Sequence, residues 1–423
     1  MIIVLIISLL YLVFAICINL NWIQDIACYF GYPIAIYLVT FVALIPGFIY
    51  VFTLLSILLE KNKRKTCTKQ ECDVTVLVPI YNAKKTIKKT IESITCQKYH
   101  GNIHIIAIDD GSADESLELL KKINCDNQIT ILETKHRGKS YALNEGLKHV
   151  QTDYVITVDS DTTLHPLAIK NIMDKLVNSD KNIVATAGLI FVKNDQTSFV
   201  TKLQQWDYTL GIFGVKLYQG SYHSTLVAQG AFSAYKTKQI KEIGGWRPCV
   251  GEDIVLTWNL LSKGYQTNFA KNAVAFTEAP DTFKGLFRQR QRWARGMIEA
   301  FKQTKIITSK KLNLKSKFLM CMNIFFPFVD FALLIFIPLG LIFLLFHNNL
   351  FIGLLTLLVI LLGMILCLVI EIKRQNVLRE IDCKLEKRSI LAFIFYALFY
   401  AFILAPFCLT GYIKELVNTK KEW

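Results

Sequence analysis

Residues 1–59 carry a single ionised side chain, Asp25, and neither Lys nor Arg. No other feature of the chain restricts its fold as much. Apolar stretches over 1–22 and 32–59 are each long enough to cross a hydrocarbon core of about 30 Å. Further apolar stretches lie near 318–346, 350–370 and 390–413, after a polar middle. One such stretch reads equally well as a buried core helix, but five in one chain read as membrane helices. Hydrophobic residues make up 53% of the 423, and their segregation, more than their share, points to a bilayer. The first stretch lacks a basic n-region and a clear small-x-small cleavage site, so the expectation is a retained anchor.

Positive charge sets the expected orientation. Lys61, Lys63, Arg64 and Lys65 follow the second stretch, and Lys310, Lys311, Lys315 and Lys317 precede the third. Lys373, Arg374, Arg379, Lys384, Lys387 and Arg388 lie between the fourth and fifth. A multi-pass plasma-membrane protein is expected, with its central domain cytoplasmic and the loops 22–31 and 347–349 outside. Five crossings put the C-terminus outside, where Lys414, Lys420 and Lys421 strain the rule. Pro327 and Pro338 leave open whether 318–346 is one crossing, a re-entrant piece with a crossing, or two crossings. The chain has 48 Lys and Arg against 33 Asp and Glu, a net charge of +15. Clustering of the cations at membrane boundaries points to anionic headgroups and an anionic nucleotide rather than nucleic acid. The 11 cysteines form no Cys-x-x-Cys pair, and Cys17, Cys321, Cys367 and Cys408 fall in apolar stretches. They read as small apolar filling, with no disulfide framework or zinc site.

The pattern changes near residue 73. Val74–Val78, Ile105–Ile108, Ile129–Leu132 and Tyr154–Val158 read as short buried strands at intervals of roughly 25 residues. Helical patterns fall between and after them, near 84–95, 114–123, 139–149 and 166–178. Strands alternating with helices predict an α/β fold with a parallel sheet of right-handed crossovers. Ligands bind such sheets beyond the carboxyl ends of the strands. Polar residues fall at those ends: Tyr81 and Asn82 after the first, Asp109 and Asp110 after the second, Asp159-Ser160-Asp161 after the fourth. A strand ending in Asp-Gly is by itself only a turn; three polar ends in one sheet suggest a site. His136-Arg137-Gly138-Lys139-Ser140 opens a helix and suits either a phosphate or a plain capped helix start. The P-loop spacing is absent.

Asp159 and Asp161 alternate about a strand end, so their oxygens can share one hard cation, Mg2+ or Mn2+, with two phosphates. Without His or Cys nearby, zinc is disfavoured. Asp253, in Val250-Gly251-Glu252-Asp253-Ile254, starts a helical pattern reaching about Ser262. A carboxylate there stays ionised, as a general base should, and also caps the helix; both readings stand. From 283 to 304, Phe283, Leu286, Phe287, Trp293, Ala294, Met297, Ile298 and Phe301 recur near helical spacing among Arg288, Arg290, Arg292, Arg295 and Lys302. Gln289, Arg292 and Trp293 share a face at i, i+3 and i+4. A guanidinium there can fork onto a diphosphate while the indole stacks on a sugar ring. The same helix also suits a membrane surface, and the two roles are compatible.

In order and kind, Asp159-Ser160-Asp161, Glu252-Asp253 and Gln289-Arg290-Gln291-Arg292-Trp293 resemble the signature of processive family 2 glycosyltransferases. That group includes cellulose, hyaluronan, chitin and poly-N-acetylglucosamine synthases. The resemblance spans roughly 73–305, and the flanking membrane segments match in kind. It implies a GT-A fold, a mixed and mostly parallel sheet inserted between transmembrane helices. It also implies inverting transfer from a UDP-sugar to a growing polysaccharide, with export coupled to synthesis. Asp253 would be the base, and Asp159 and Asp161 would serve the diphosphate and the metal. Asp110 would lie near the uridine and Lys139 near the nucleotide. Gln289, Arg292 and Trp293 would cover the diphosphate and acceptor end, while Tyr81 and Glu252 are read as further substrate contacts. Gln229-Gly230-Ala231-Phe232 and Gly244-Gly245-Trp246 look like the acceptor-side strand and loop. Two membrane segments before the domain and about three after it look most like poly-β-1,6-N-acetylglucosamine synthases. The Gly-Glu-Asp motif departs from the Thr-Glu-Asp of that group and is more frequent in chitin-type enzymes. UDP-N-acetylglucosamine is therefore favoured and UDP-glucose kept open, and an accessory membrane subunit is compatible with the resemblance.

The expected organisation is two membrane helices over 1–60, a catalytic domain over 61–281, interfacial helices over 282–316 and a membrane region over 317–423. Asp330, inside an apolar stretch, either lines a polymer path or sits near the interface. The competing functions are a non-processive transferase loading one sugar onto a lipid, and a receptor with a degenerate nucleotide domain. The Gln-x-x-Arg-Trp pattern weighs against the first, and the intact Asp159, Asp161 and Asp253 against the second.

Overall fold

All seven residues of β1, Val74–Ile80, are buried, as a strand covered by helices on both faces must be. Its alternate residues serve two cores. Val74, Val76, Val78 and Ile80 pack with Ile87, Ile91 and Ile94 of one helix and Ile169, Ile172 and Met173 of another. Leu77 packs with Ala142, Leu143 and Leu147 on the other side. The computed structural model of the chain describes residues 1–60, 72–123, 129–304, 309–347 and 354–419.

The other strands are β2 (Ile103–Asp109), β3 (Ile129–Glu133), β4 (Tyr154–Val158), β5 (Thr162–Leu164), β6 (Ile183–Val192), β7 (Phe232–Lys236) and β8 (Gln266–Thr277). They form one eight-stranded sheet in the order β3-β2-β1-β4-β7-β6-β8-β5. The strands read from the sequence make its parallel half, with Val74 opposite both Ile103 and Tyr154. Beyond β4 the sheet turns mixed: β7 runs antiparallel to β4 and β6, β8 parallel to β6, and β5 antiparallel to β8. The helices fall close to their predicted places, at Ile87–Thr95, Ser116–Ile123, Lys139–Lys148 and Ala168–Val177.

Around this domain, Tyr32–Leu58, Leu314–Ile342, Leu355–Glu380 and Ile390–Leu416 are long and apolar enough to cross a membrane. Ile2–Ile18 and Leu20–Phe30 qualify only together and meet at 54°. Residues 22–30 of the expected outer loop are thus helical. The break falls at Asn19, whose side-chain amide donates to the Ala15 carbonyl at 2.6 Å, a local bond that competes with helix continuation. Pro327 sits in the first turn of Phe326–His347, where its missing N–H breaks no helix bond. Lys61, Lys63, Arg64, Lys65, Lys420 and Lys421, which bear part of the expected orientation, lie outside the described residues, as do 348–349 of the second expected loop.

The middle of the sheet is tight at Gly188 of β6, where an added Cβ would run into the ring of fully buried Phe232 on β7. Gly188→Ala is expected to destabilise the folded protein by about 1–3 kcal/mol. Phe232→Leu should relieve part of that cost, so thermal unfolding of the purified single and double variants should be non-additive.

Candidate active site

The carboxyl ends of β1 and β2 bring Asp110 to the loop 134–138. Asp110 is 2% exposed. Its Oδ1 accepts from the Arg137 N–H at 3.0 Å and its Oδ2 from the Gly138 N–H at 2.8 Å. His136 Nδ1 lies 2.9 Å from the same Oδ2, and the His136 ring stacks on Tyr81 at 4.0 Å. Gly138, at φ +96°, turns the chain into the helix Lys139–Lys148. Asp110 is therefore engaged in shaping a loop, and Tyr81 offers the exposed ring of that group. A cleft of about 490 Å3 opens beside it, lined by Tyr81, Lys84, Lys85, Asp114, Ser160 and Asp161 among others.

Lys139 joins this loop to the acidic motifs. Its ammonium lies 2.5 Å from Asp159 Oδ1 at the end of β4 and 3.3 Å from Glu252 Oε1 at the start of the helix Glu252–Ser262. Burial opposes the charge on Lys139, but Asp159, Glu252 and Asp253 outweigh it and hold its pKa above that of an ordinary lysine. Two of the carboxyls are shifted in the same direction, which for an acid disfavours the charged form. Burial, then the Asp159 charge, pushes Asp161 up. Burial pushes Glu252 up against the pull of Lys139. A Cβ at Gly230 would come 2.5 Å from Lys139 Nζ and would push that ammonium aside. The Gly230 N–H instead donates to Asp253 Oδ2 at 3.3 Å, and Asp253 Oδ1 accepts from the Ile254 N–H at 2.7 Å.

Among the described residues no cluster of three or more His, Cys, Asp or Glu side chains could hold an ion alone. Asp159 and Asp161 nevertheless fit a hard cation that keeps waters and takes substrate phosphates as its other ligands. They are two neighbouring, partly buried carboxylates of like charge, and Asp161 Oδ1 is oriented by the hydroxyls of Thr162 and Thr277, each at 3.2 Å.

The basic-aromatic helix runs Phe283–Gln303, capped by the Thr282 side chain on the Gly285 N–H. Trp293 is 40% exposed, Arg292 is exposed, and Gln289 Nε2 reaches the Tyr208 hydroxyl at 3.5 Å. Arg290 is different. It is buried, pairs with Asp207 at 2.5 Å and lies 4.2 Å over the Trp293 ring. Burial pushes the Asp207 carboxyl up and Arg290 opposes that push. The predicted residues thus fall into three neighbouring groups: Tyr81 and Asp110 around His136; Lys139, Asp159, Asp161, Glu252 and Asp253 around one ammonium; Gln289, Arg292 and Trp293 on one helix. The sequence reading missed Asp207, Tyr208 and the buried role of Arg290, because Arg290 resembles its exposed neighbours and its partner is 83 residues away. Lys216 was also missed. It is buried, donates to the Val227 carbonyl, and is pushed down to about 7 by burial against the opposing field of Asp253. A lone Lys in an otherwise apolar helical run was the signal available.

A sheet of this order with acidic strand ends over a nucleotide-sized cleft is a GT-A type nucleotide-sugar transferase fold. The match to a mannosyltransferase, PcManGT from Pyrobaculum calidifontis in complex with GDP-Man and Mn2+, has a TM-score of 0.63 at 18% identity, covering 92% of this chain and 99% of that one. The family model described as "Glycosyltransferase like family 2" matches residues 72–296, and the chain belongs to that family. It is 31% identical over 255 residues to the poly-beta-1,6-N-acetyl-D-glucosamine synthase of Staphylococcus aureus (strain COL), covering 60% of this chain and 61% of that protein. Against the synthase of Staphylococcus epidermidis it is 31% identical over 248 residues, 57% and 59% of the two chains. The match thus spans less than two thirds of either synthase.

Two outcomes test this geometry. Breaking the buried pair with Asp207→Ala should cost about 3–5 kcal/mol, because Arg290 keeps its charge without a partner. Arg290→Met combined with Asp207→Ala should cost less than the two single changes summed, in a double-mutant cycle of thermal unfolding. Lys216 has its folded pKa depressed from the ordinary 10.5 to about 7, so the unfolded chain binds more protons between those values. Its penalty is complete below pH 7 and fades as pH rises. The melting temperature of the wild type should therefore gain on that of Lys216→Met between pH 6 and 9.

Proposed function

We propose that this chain is a membrane-embedded inverting glycosyltransferase that polymerises a UDP-sugar, with UDP-N-acetylglucosamine favoured over UDP-glucose, and passes the β-linked product across the bilayer. The observation that carries the proposal is the convergence of Asp159, Glu252 and Asp253 on Lys139. Three acidic positions from two elements, the end of β4 and the start of the helix Glu252–Ser262, meet at the ends of the strands, where ligands bind in such sheets. The relatives named as poly-N-acetylglucosamine synthases support the choice of sugar, and the apolar helices on both sides of the domain support the membrane role.

In this reading Asp253 takes the proton of the acceptor hydroxyl as its oxygen attacks the anomeric carbon from the face opposite the diphosphate. The bond from that carbon to the phosphate oxygen breaks, and UDP leaves with the electron pair. The Gly230 and Ile254 N–H groups orient the base. Lys139 holds Asp159 and Glu252 in place and adds positive charge beside the leaving group. A Mg2+ or Mn2+ held by Asp159 and Asp161 would supply charge neutralisation at the diphosphate. Arg292 faces the diphosphate, and Trp293, fixed under Arg290, offers its indole to the acceptor's terminal sugar.

Purified protein given a panel of labelled UDP-sugars should yield high-molecular-weight polymer with one of them, and EDTA should abolish the reaction. A product of one sugar on a lipid would replace polymerisation with single transfer, and no UDP release from any donor would sink the enzyme reading. Asp253→Asn should abolish transfer, a loss of at least about 100-fold, with UDP binding near normal; loss of binding as well would move Asp253 into the nucleotide pocket.

A further inference from the structure

The helix that bears the base has a glycine at its N-cap, and the side-chain bond to its first turn comes from Asp253 itself, whose Oδ1 accepts from the Ile254 N–H. Gly251 occupies its N-cap position and supplies no side-chain bond to the first turn, where free N–H groups ordinarily receive a Ser, Thr, Asp or Asn oxygen. The turn just before the helix is held by a carboxylate from another element. Glu299, 2% exposed, accepts from the Val250 N–H at 2.8 Å and from the Gly251 N–H at 3.3 Å through the same Oε2. It sits on Phe283–Gln303, six residues after Trp293, a rise of about 9 Å. One turn earlier on that helix, Gly296 lies against Gly251 so closely that a Cβ on Gly296 would come 2.8 Å from the Gly251 Cα and 3.1 Å from its nitrogen. A paired glycine approach and a charged hydrogen bond thus fasten the same turn, two residues before Asp253.

We infer that Glu299 is a positioning residue for the base: it fixes the turn Val250–Gly251 to the helix Phe283–Gln303, so that the Asp253 carboxylate and the Trp293 indole keep one separation. The inference rests on the proposed roles of Asp253 and Trp293. A charged acceptor suits the task, because hydrogen bonds to a carboxylate are stronger and shorter than neutral ones. Loss of the tie lets the base shift by a fraction of an ångström relative to the acceptor, and a shift of about 1 Å can cost on the order of 100-fold in rate. The nucleotide cleft around Tyr81 and Asp161 is lined by other segments and should not feel the change.

The test is steady-state kinetics of the full-length protein in membranes, with donor KM, kcat and UDP binding measured for Glu299→Ala, Glu299→Gln and Gly296→Ala. Glu299→Ala should lower kcat by about 10- to 100-fold while donor KM and UDP binding stay within about threefold. Glu299→Gln keeps an acceptor oxygen and should recover most of the rate. Gly296→Ala, which keeps Glu299 but displaces the same turn, should reproduce the kcat loss, and it carries the test if Glu299→Ala does not fold. Unchanged kcat in Glu299→Ala, a parallel loss of kcat and UDP binding, or a Gln variant as impaired as the Ala variant would each overturn the inference. Asp253→Asn, run alongside, separates the two levels: if it retains turnover the base assignment fails, and if it is inactive while Glu299→Ala is normal only the positioning role fails.

Discussion

The candidate site depends on one partly buried ammonium, that of Lys139. Asp159 ends a central strand and Glu252 starts a helix almost a hundred residues later, and both reach Lys139, at 2.5 and 3.3 Å. Without it, Asp159, Asp161, Glu252 and Asp253 would be a group of partly buried like charges, each raising the cost of ionising the others. The upward push on Asp161 and Glu252 shows how close the arrangement runs to that limit. Lys139 is positioned by a second compensation, since the Asp110 carboxylate accepts from the backbone of the loop immediately before it. The open side of the site is left to ligands that bring their own charge.

The helix Phe283–Gln303 links this site to the membrane segments. On one side it holds the turn before Asp253 through Glu299. On the other it meets Ala401–Leu416: Arg295 pairs with the buried Glu415 at 3.4 Å, Gln291 bonds Thr410 at 3.0 Å, and Gly411 lies so close to the Gln291 carbonyl that only glycine fits. Buried pairs of this kind are expensive to break from one side, so the turn before Asp253, the Trp293 ring and the apolar helix Ala401–Leu416 are fastened to a common strut.

The fold was legible in outline because its signals are local. Val74–Ile80 and Tyr154–Val158 are short, apolar and β-branched, and the polar residues after them mark where the strands stop. The antiparallel half of the sheet was much less legible. Of the segment Gln229–Phe232, expected as strand, only Phe232 lies in β7 and the rest is the turn before it, and the ten buried residues of β6 give no alternation to distinguish strand from buried helix. The bend at Asn19 was hidden for a similar reason, since an apolar run does not reveal that one amide turns back on its own helix.

The family, the identity and order of the acidic and basic motifs, and the segregation of apolar helices around a polar domain can be read along the chain. Those follow from residue type and spacing, which act over a few residues. Tertiary structure alone decided which charges meet. It placed Lys139 between two carboxylates, paired Arg290 with Asp207 against the Trp293 ring, buried Lys216 near Asp253, and tied Glu299 to the turn before the helix of Asp253. Electrostatic and hydrogen-bond partners are set by distance in space, and positions tens to a hundred residues apart carry no mark of that distance until the sheet and its helices close around them.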